Sequence, residues 1–104
     1  MAWLRVHSYD NLGGEEVTFN GAQQIANLND HTLPKGGPLN DNISSLEVGP
    51  GTWVTLWEAA GFSGRYENYF PGDAPSRIWL SNSSSSIRIF DFPPGYEPVE
   101  EATE

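Results

Sequence analysis

Apolar positions recur at two-residue spacing in short runs, and Gly, Pro, Asn, Asp and Ser interrupt those runs about every ten residues. Helix-period patterns are almost absent. That rhythm predicts an all-β sandwich or barrel with strands over 3–8, 15–20, 43–48, 52–58, 65–70, 76–80 and 85–90. In the first run Leu4 and Val6 point one way while Arg5 and His7 point the other; Val54 and Leu56 play the same inward part in the fourth. Ile87 and Ile89 alternate with Arg88 and Phe90, whereas the stretch 65–70 alternates poorly. One helical turn is expected over 23–27. Pro34-Lys35-Gly36-Gly37-Pro38 reads as a loop.

Two halves start alike on either side of Gly49-Pro50-Gly51. Each carries a glycine hairpin, Leu12-Gly13-Gly14 and Phe62-Ser63-Gly64, followed by an oxygen-rich turn. The first turn is Asn40-Asp41-Asn42-Ile43-Ser44-Ser45, in the pattern [N/D]-[N/D]-x-x-[S/T]-S. The second, Ser81-Asn82-Ser83-Ser84-Ser85-Ser86, echoes it imperfectly. Gly14 and Gly64 lie 50 positions apart but Asn40 and Ser81 only 41, so the first half carries nine extra residues within 21–39. A carboxylate, amides and hydroxyls crowded into a turn offer oxygens to a hard cation. The same residues also suit an ordinary Asx or Ser/Thr turn that satisfies its own backbone.

Hairpin and turn together, in this order and twice, resemble the microbial single-domain βγ-crystallins over roughly residues 3–90. The second half matches best, since Trp57-Glu58-Ala59-Ala60-Gly61-Phe62-Ser63-Gly64 is similar to the family's aromatic-x4-aromatic-x-Gly hairpin. In the first half His7 stands where an aromatic is usual, and either His7 or Tyr9 fills that corner. The resemblance implies two four-stranded Greek keys packed as a β-sandwich: a domain over 1–92, with motif one at 2–48 and motif two at 52–91. It also implies two calcium sites between the halves, each a turn from one motif completed by a hairpin carbonyl from the other. Carried over, site one uses the Asp41 side chain, the Asn42 carbonyl, the Ser44 hydroxyl and the Glu58 carbonyl. Site two uses Asn82, Ser83 and Ser85 with the Ser8 carbonyl. Ser81 and Asn82 replace more acidic residues there, so site two is expected to be weak or vacant.

Charge narrows the partners. The chain of 104 residues has a net charge of −9. Residues 1–90 contribute −4, and 91–104, with five acids and no base, contribute −5. So few scattered bases cannot form an electropositive footprint for nucleic acid. The segment 93–104 reads as an acidic, disordered tail. One domain is expected from the length, and a monomer. No cysteine is present, which excludes disulfides, thiolate zinc sites and cysteine nucleophiles. No apolar run is long enough for a spanning helix, and no signal peptide is visible, so no membrane is expected and a cytoplasmic location is the default.

Enzymatic chemistry finds little footing. No G-x-S-x-G elbow accompanies the many serines. His7 and His31 read as satisfied surface or corner histidines, and Glu15-Glu16 point to opposite faces of a strand. Trp3, Trp53, Trp57 and Trp79 could form a sugar-binding platform, but Trp57 and Trp79 are expected to pack over hairpins and core edges. The favoured reading is a non-enzymatic calcium-binding domain stabilised by the ion. A protein-interaction module using the 21–39 loop, inhibitor-like or toxin-like, and a carbohydrate-binding sandwich stand as alternatives.

Overall fold

A computed structural model describes residues 2–93 of the chain. Seven strands form, at Trp3–Tyr9 (β1), Gly13–Asn20 (β2), Gln23–Ile25 (β3), Ser45–Val48 (β4), Trp53–Ala59 (β5), Ser63–Tyr69 (β6) and Ser86–Phe90 (β7), with one 3₁₀ turn at Leu28–Asp30. They make two antiparallel sheets, β2-β1-β4 and β3-β7-β5-β6. The third strand of the first half thus lies in the sheet of the second, which is the crossover of interlocked Greek keys. Inward positions from both sheets build one core. Leu4, Val6, Phe19, Leu46 and Val48 from the smaller sheet face Ile25, Val54, Leu56, Ile87 and Ile89 from the larger, and all are buried. The alternation in β1, β5 and β7 is the reason these segments are strands: each turns its aliphatic side chains to the core and sets aromatic and polar ones on the opposite face.

The duplication is written in the hydrogen bonds. Leu12 N–H donates to Ser45 Oγ (3.0 Å), whose hydroxyl donates to Tyr9 O (2.6 Å). Phe62 N–H donates to Ser86 Oγ (3.1 Å), which donates to Ala59 O (2.7 Å). Asn11 N–H to Ser76 O matches Gly61 N–H to Ala26 O. Both hairpins shift register at the same place, between His7 and Tyr9 and between Trp57 and Ala59. Hairpin residues therefore correspond at an offset of 50 and turn residues at 41, as the sequence spacing requires.

Two expected elements are absent. Residues 76–80 form no strand, and neither does 73–75, the counterpart of β3, so the smaller sheet has three strands instead of four. The correspondence of Ala26 with Ser76 places Pro75 where the first half has Ile25, which pairs with Ile87. Proline has no N–H for a ladder, and all that remains of the fourth strand is a pair of bonds joining Val48 to Gly72 and Asp73. Residues 23–27 are not helical either. Gln23–Ile25 pairs with β7 because Ile25 is needed in the core, and the helical turn follows at Leu28–Asp30, capped by Asn27 Oδ1 accepting from Asn29 N–H. The expected acidic tail lies, from residue 94 onward, outside the described residues.

Candidate calcium-binding turns

The two oxygen-rich turns meet at the middle of the molecule and hold each other. Asp41 N–H donates to Ser84 O (3.0 Å), and Asn82 N–H donates to Ile43 O (2.9 Å). Asp41 and Asn82 both sit in the left-handed region, at φ 60° and 58°. Asp and Asn tolerate that conformation better than other side chains, so the backbone asks for an Asx residue here before any ligand does. Each turn is also anchored to the hairpin of its own half. Ser44 N–H donates to His7 O (2.9 Å), and Ser85 N–H donates to Trp57 O (2.9 Å).

That anchoring regroups the expected residues. Ser8 lies with the first turn and Glu58 adjoins the second, the reverse of the hairpin partners expected from the sequence. Side chains also cross between the halves: Ser44 Oγ, in a buried residue, donates to Asn82 Oδ1 at 3.3 Å and accepts from Ser81 Oγ at 3.2 Å. Ser8, Asp41, Asn42, Ser44 and Asn82 line one open cleft of about 790 Å³. Ser83 donates its N–H to Leu80 O (2.9 Å) and its hydroxyl to Ser81 O (3.4 Å), while Ser85 O accepts from Leu28 N–H (2.9 Å).

Several walls of this cleft escaped the sequence reading. Asp10 and Glu15 add carboxylates, and Leu33, Gly36 and Gly37 of the extra loop close one side. Glu15 Oε1 accepts the Lys35 N–H (2.7 Å), and Asn42 Nδ2 donates to Pro38 O (2.8 Å), so the loop is tied to both hairpin and turn. The signal was present in the nine-residue excess, but nothing in it indicated where the loop would lean. Among the described residues no three of His, Asp and Glu converge as a metal-holding group. Any cation here must therefore take most of its ligands from carbonyl, amide and hydroxyl oxygens.

The corresponding hairpin of the second half is furnished differently. Glu58 Oε2 receives Arg65 Nη2 at 2.7 Å and Nε at 3.2 Å. Hydrogen bonding from the Arg65 side chain, and then from its N–H, holds the Glu58 carboxyl below the ordinary carboxylate range, and the same contact raises Arg65. The Arg65 guanidinium also lies 5.4 Å from the Trp79 ring centre.

Three further expectations are resolved by position. His7 fills the first hairpin corner, because it holds the place of Trp57, while Tyr9 is exposed. It is not a satisfied surface histidine: the ring is buried and Nε2 has no hydrogen-bond partner, with Glu47 Oε1 3.7 Å away and Glu16 Oε1 4.0 Å from Nδ1. Trp79, expected over a hairpin or core edge, is 69% exposed and lies against Arg65 of the second hairpin. Its neighbours Ile78 and Leu80 are the residues of this stretch that enter the core.

Two interlocked Greek-key halves, each with a glycine hairpin clasped by a turn serine, define a duplicated β-sandwich of crystallin type. Comparison with solved structures bears this out. A βγ-crystallin from an archaeon is 30% identical, with 86% of this chain and 98% of that one covered and a TM-score of 0.64. A βγ-crystallin domain from Flavobacterium johnsoniae is 25% identical over 90% and 98% of the two chains, with a TM-score of 0.68. The N-terminal domain of protein S is 25% identical over 88% and 99%, with a TM-score of 0.73. The chain belongs to the βγ-crystallin family. No family model matches the sequence, and no curated protein matches it.

Proposed function

We propose that the chain is a calcium-binding βγ-crystallin domain in which the ion stabilises the fold and carries out no chemistry. The observation that carries this reading is the meeting of Ser44 Oγ and Asn82 Oδ1 at 3.3 Å in a cleft also lined by Ser8, Asp41 and Asn42. Two oxygens that ligate one calcium at about 2.4 Å stand about 3.0–3.4 Å apart, so the pair is spaced as co-ligands. The carbonyls of Ser8 and Asn42 supply further oxygens, Asp41 supplies charge, and water completes the shell. Ser83, Ser85 and the Glu58 carbonyl form the second, weaker site. Asp41, bonded through its N–H to the second turn while lining the first cleft, serves the junction of both.

An ion joining the two turns crosslinks the halves. At a hundredfold excess over its dissociation constant it adds about 2.7 kcal/mol to stability by mass action. With few charged ligands the constant falls on the order of 10⁻⁶ to 10⁻⁴ M, and magnesium, which demands a small rigid octahedron, competes poorly. Calorimetric titration of the metal-stripped protein, with melting curves in chelator and in calcium, tests this reading. Heat of binding and a raised melting point are expected, and Asp41→Ala abolishes most of both. No heat and no melting shift in millimolar calcium would overturn it.

A further inference from the structure

The correspondence between the halves allows the wall of the first cleft to be translated, residue by residue, onto the second hairpin. Ser8 corresponds to Glu58, Asp10 to Ala60 and Glu15 to Arg65 at the hairpin offset. The backbone confirms the last pair. Glu15 N–H donates to Ser8 Oγ (2.9 Å), and Arg65 N–H donates to Glu58 Oε1 (3.4 Å). Where the first half presents Asp10 and Glu15 to its cleft, the second presents an alanine and a guanidinium. Arg65 is pinned on two sides, by the Glu58 carboxylate and by the face of Trp79. Trp79 has no burial of its own to justify an indole at 69% exposure, so holding Arg65 gives that side chain a role.

From this geometry we infer that Arg65 is a tethered cation that keeps calcium from the second hairpin site and so sets the order in which the two sites fill. The inference rests on the calcium reading above and adds its selector. The turn residues alone do not order the sites, because Asn82 of the second turn reaches Ser44 of the first, and Asp41 lines the first cleft while its N–H bonds the second turn. The hairpin position 15/65 does, since it carries opposite charge in the two halves. A fixed guanidinium beside Glu58 repels an arriving divalent ion and also occupies the carboxylate that would otherwise attract it. Even at the dielectric of bulk water, a unit charge about 6 Å from a divalent ion changes its affinity by about tenfold.

The test is a calcium titration of the whole chain followed by amide NMR, with Ser8 and Ser44 reporting the first site and Ala59 and Ser85 the second. In the parent protein the first pair saturates at a calcium concentration at least about tenfold below the second. Arg65→Gln lowers the midpoint of the second pair by about tenfold and leaves the first in place. Arg5→Gln, which removes the same unit of charge from the outer face of the smaller sheet, moves neither pair comparably. An unchanged gap in Arg65→Gln, or an equal change in Arg5→Gln, overturns the role of Arg65 while leaving calcium binding intact. Silence of both pairs in parent and Arg65→Gln up to millimolar calcium overturns the calcium reading itself, and this inference with it.

Discussion

In the first half, His7 fills the hairpin corner opposite Glu16 on β2, with Glu47 on β4 alongside. In the second, Trp57 fills the same corner opposite Tyr66 on β6, with Arg88 on β7 alongside. The register makes the two trios equivalent: His7 pairs with Glu16 as Trp57 pairs with Tyr66, and Glu47 faces Arg5 as Arg88 faces Thr55. One corner is an imidazole among carboxylates. The other is an indole packed edge-on against Phe62 with a guanidinium 4.1 Å from the Phe62 ring centre. The same backbone tolerates both because its own bonds do not pass through these side chains. They pass through the turn serines, the hairpin glycines and the reciprocal carbonyls, and those agree in the two halves.

Substitutions at the hairpin glycines give the largest expected effect and probe how far that agreement extends. Gly14 has φ 74°, and a Cβ there would clash with Ser8 Oγ and lie 3.0 Å from the Tyr9 ring. Gly64 has φ 85°, and its nearest neighbour would be Glu58 Oε1 at 3.2 Å, the end of a flexible side chain. Left-handed backbone costs an alanine about 1–2 kcal/mol at either position, and overpacking brings Gly14→Ala to about 3 kcal/mol. Denaturant unfolding of both variants measures this, and equal losses would show that Ser8 rotates away at little cost.

The next effect concerns the turns. Ser84 occupies the core position that Ile43 holds in the first half, fully buried, and its hydroxyl has no partner. Ser84→Ala is expected to stabilise the chain by about 1 kcal/mol, because it removes an unsatisfied buried polar group. A loss of stability in the same unfolding measurement would mean that the hydroxyl finds a partner in solution.

Pro75→Ile tests the missing fourth strand and has the smallest energetic effect. A new ladder bond adds about 0.5–1.5 kcal/mol. The unfolded chain, freed of proline, takes back about 0.4–1 kcal/mol. The readout is therefore structural, an NMR cross-strand contact between residue 75 and Leu46 like that between Ile25 and Ile87. If residue 75 still fails to pair, the proline is not what removed the strand.

Most of the architecture was legible because it rests on local signals. Alternation marked β1, β5 and β7, and the glycine hairpins and Ser-rich turns marked the duplication. The strand expected over 76–80 failed because those residues correspond to 26–30, where the first half has already left its third strand, and the counterpart of β3 at 73–75 ends on Pro75, which has no N–H to donate. The helical turn expected over 23–27 failed because three residues of strand carry too little pattern to outweigh helix-compatible glutamines. At the candidate site the residue types were legible and their grouping was not. Ser8 and Glu58 are interchangeable in sequence, and only the bonds from Ser44 to His7 and from Ser85 to Trp57 decide which hairpin each turn touches. His7 likewise reads as a polar outward position, and its burial depends on neighbours from β2 and β4 that no spacing announces.

The exchange of β3 into the opposite sheet separates the unit of ancestry from the unit of cooperativity. The repeat is half the chain, yet the larger sheet takes a strand from each half and neither half holds its turn alone. Cleavage at Gly49-Pro50-Gly51 would leave the first fragment with a β3 that has no sheet to join, and the second with a β7 whose edge is bare. The two copies consequently melt together or not at all. A sequence free to diverge by halves is held to a single folding transition by one three-residue strand, the backbone bonds that tie turn to turn and hairpin to loop, and a core drawn from both sheets.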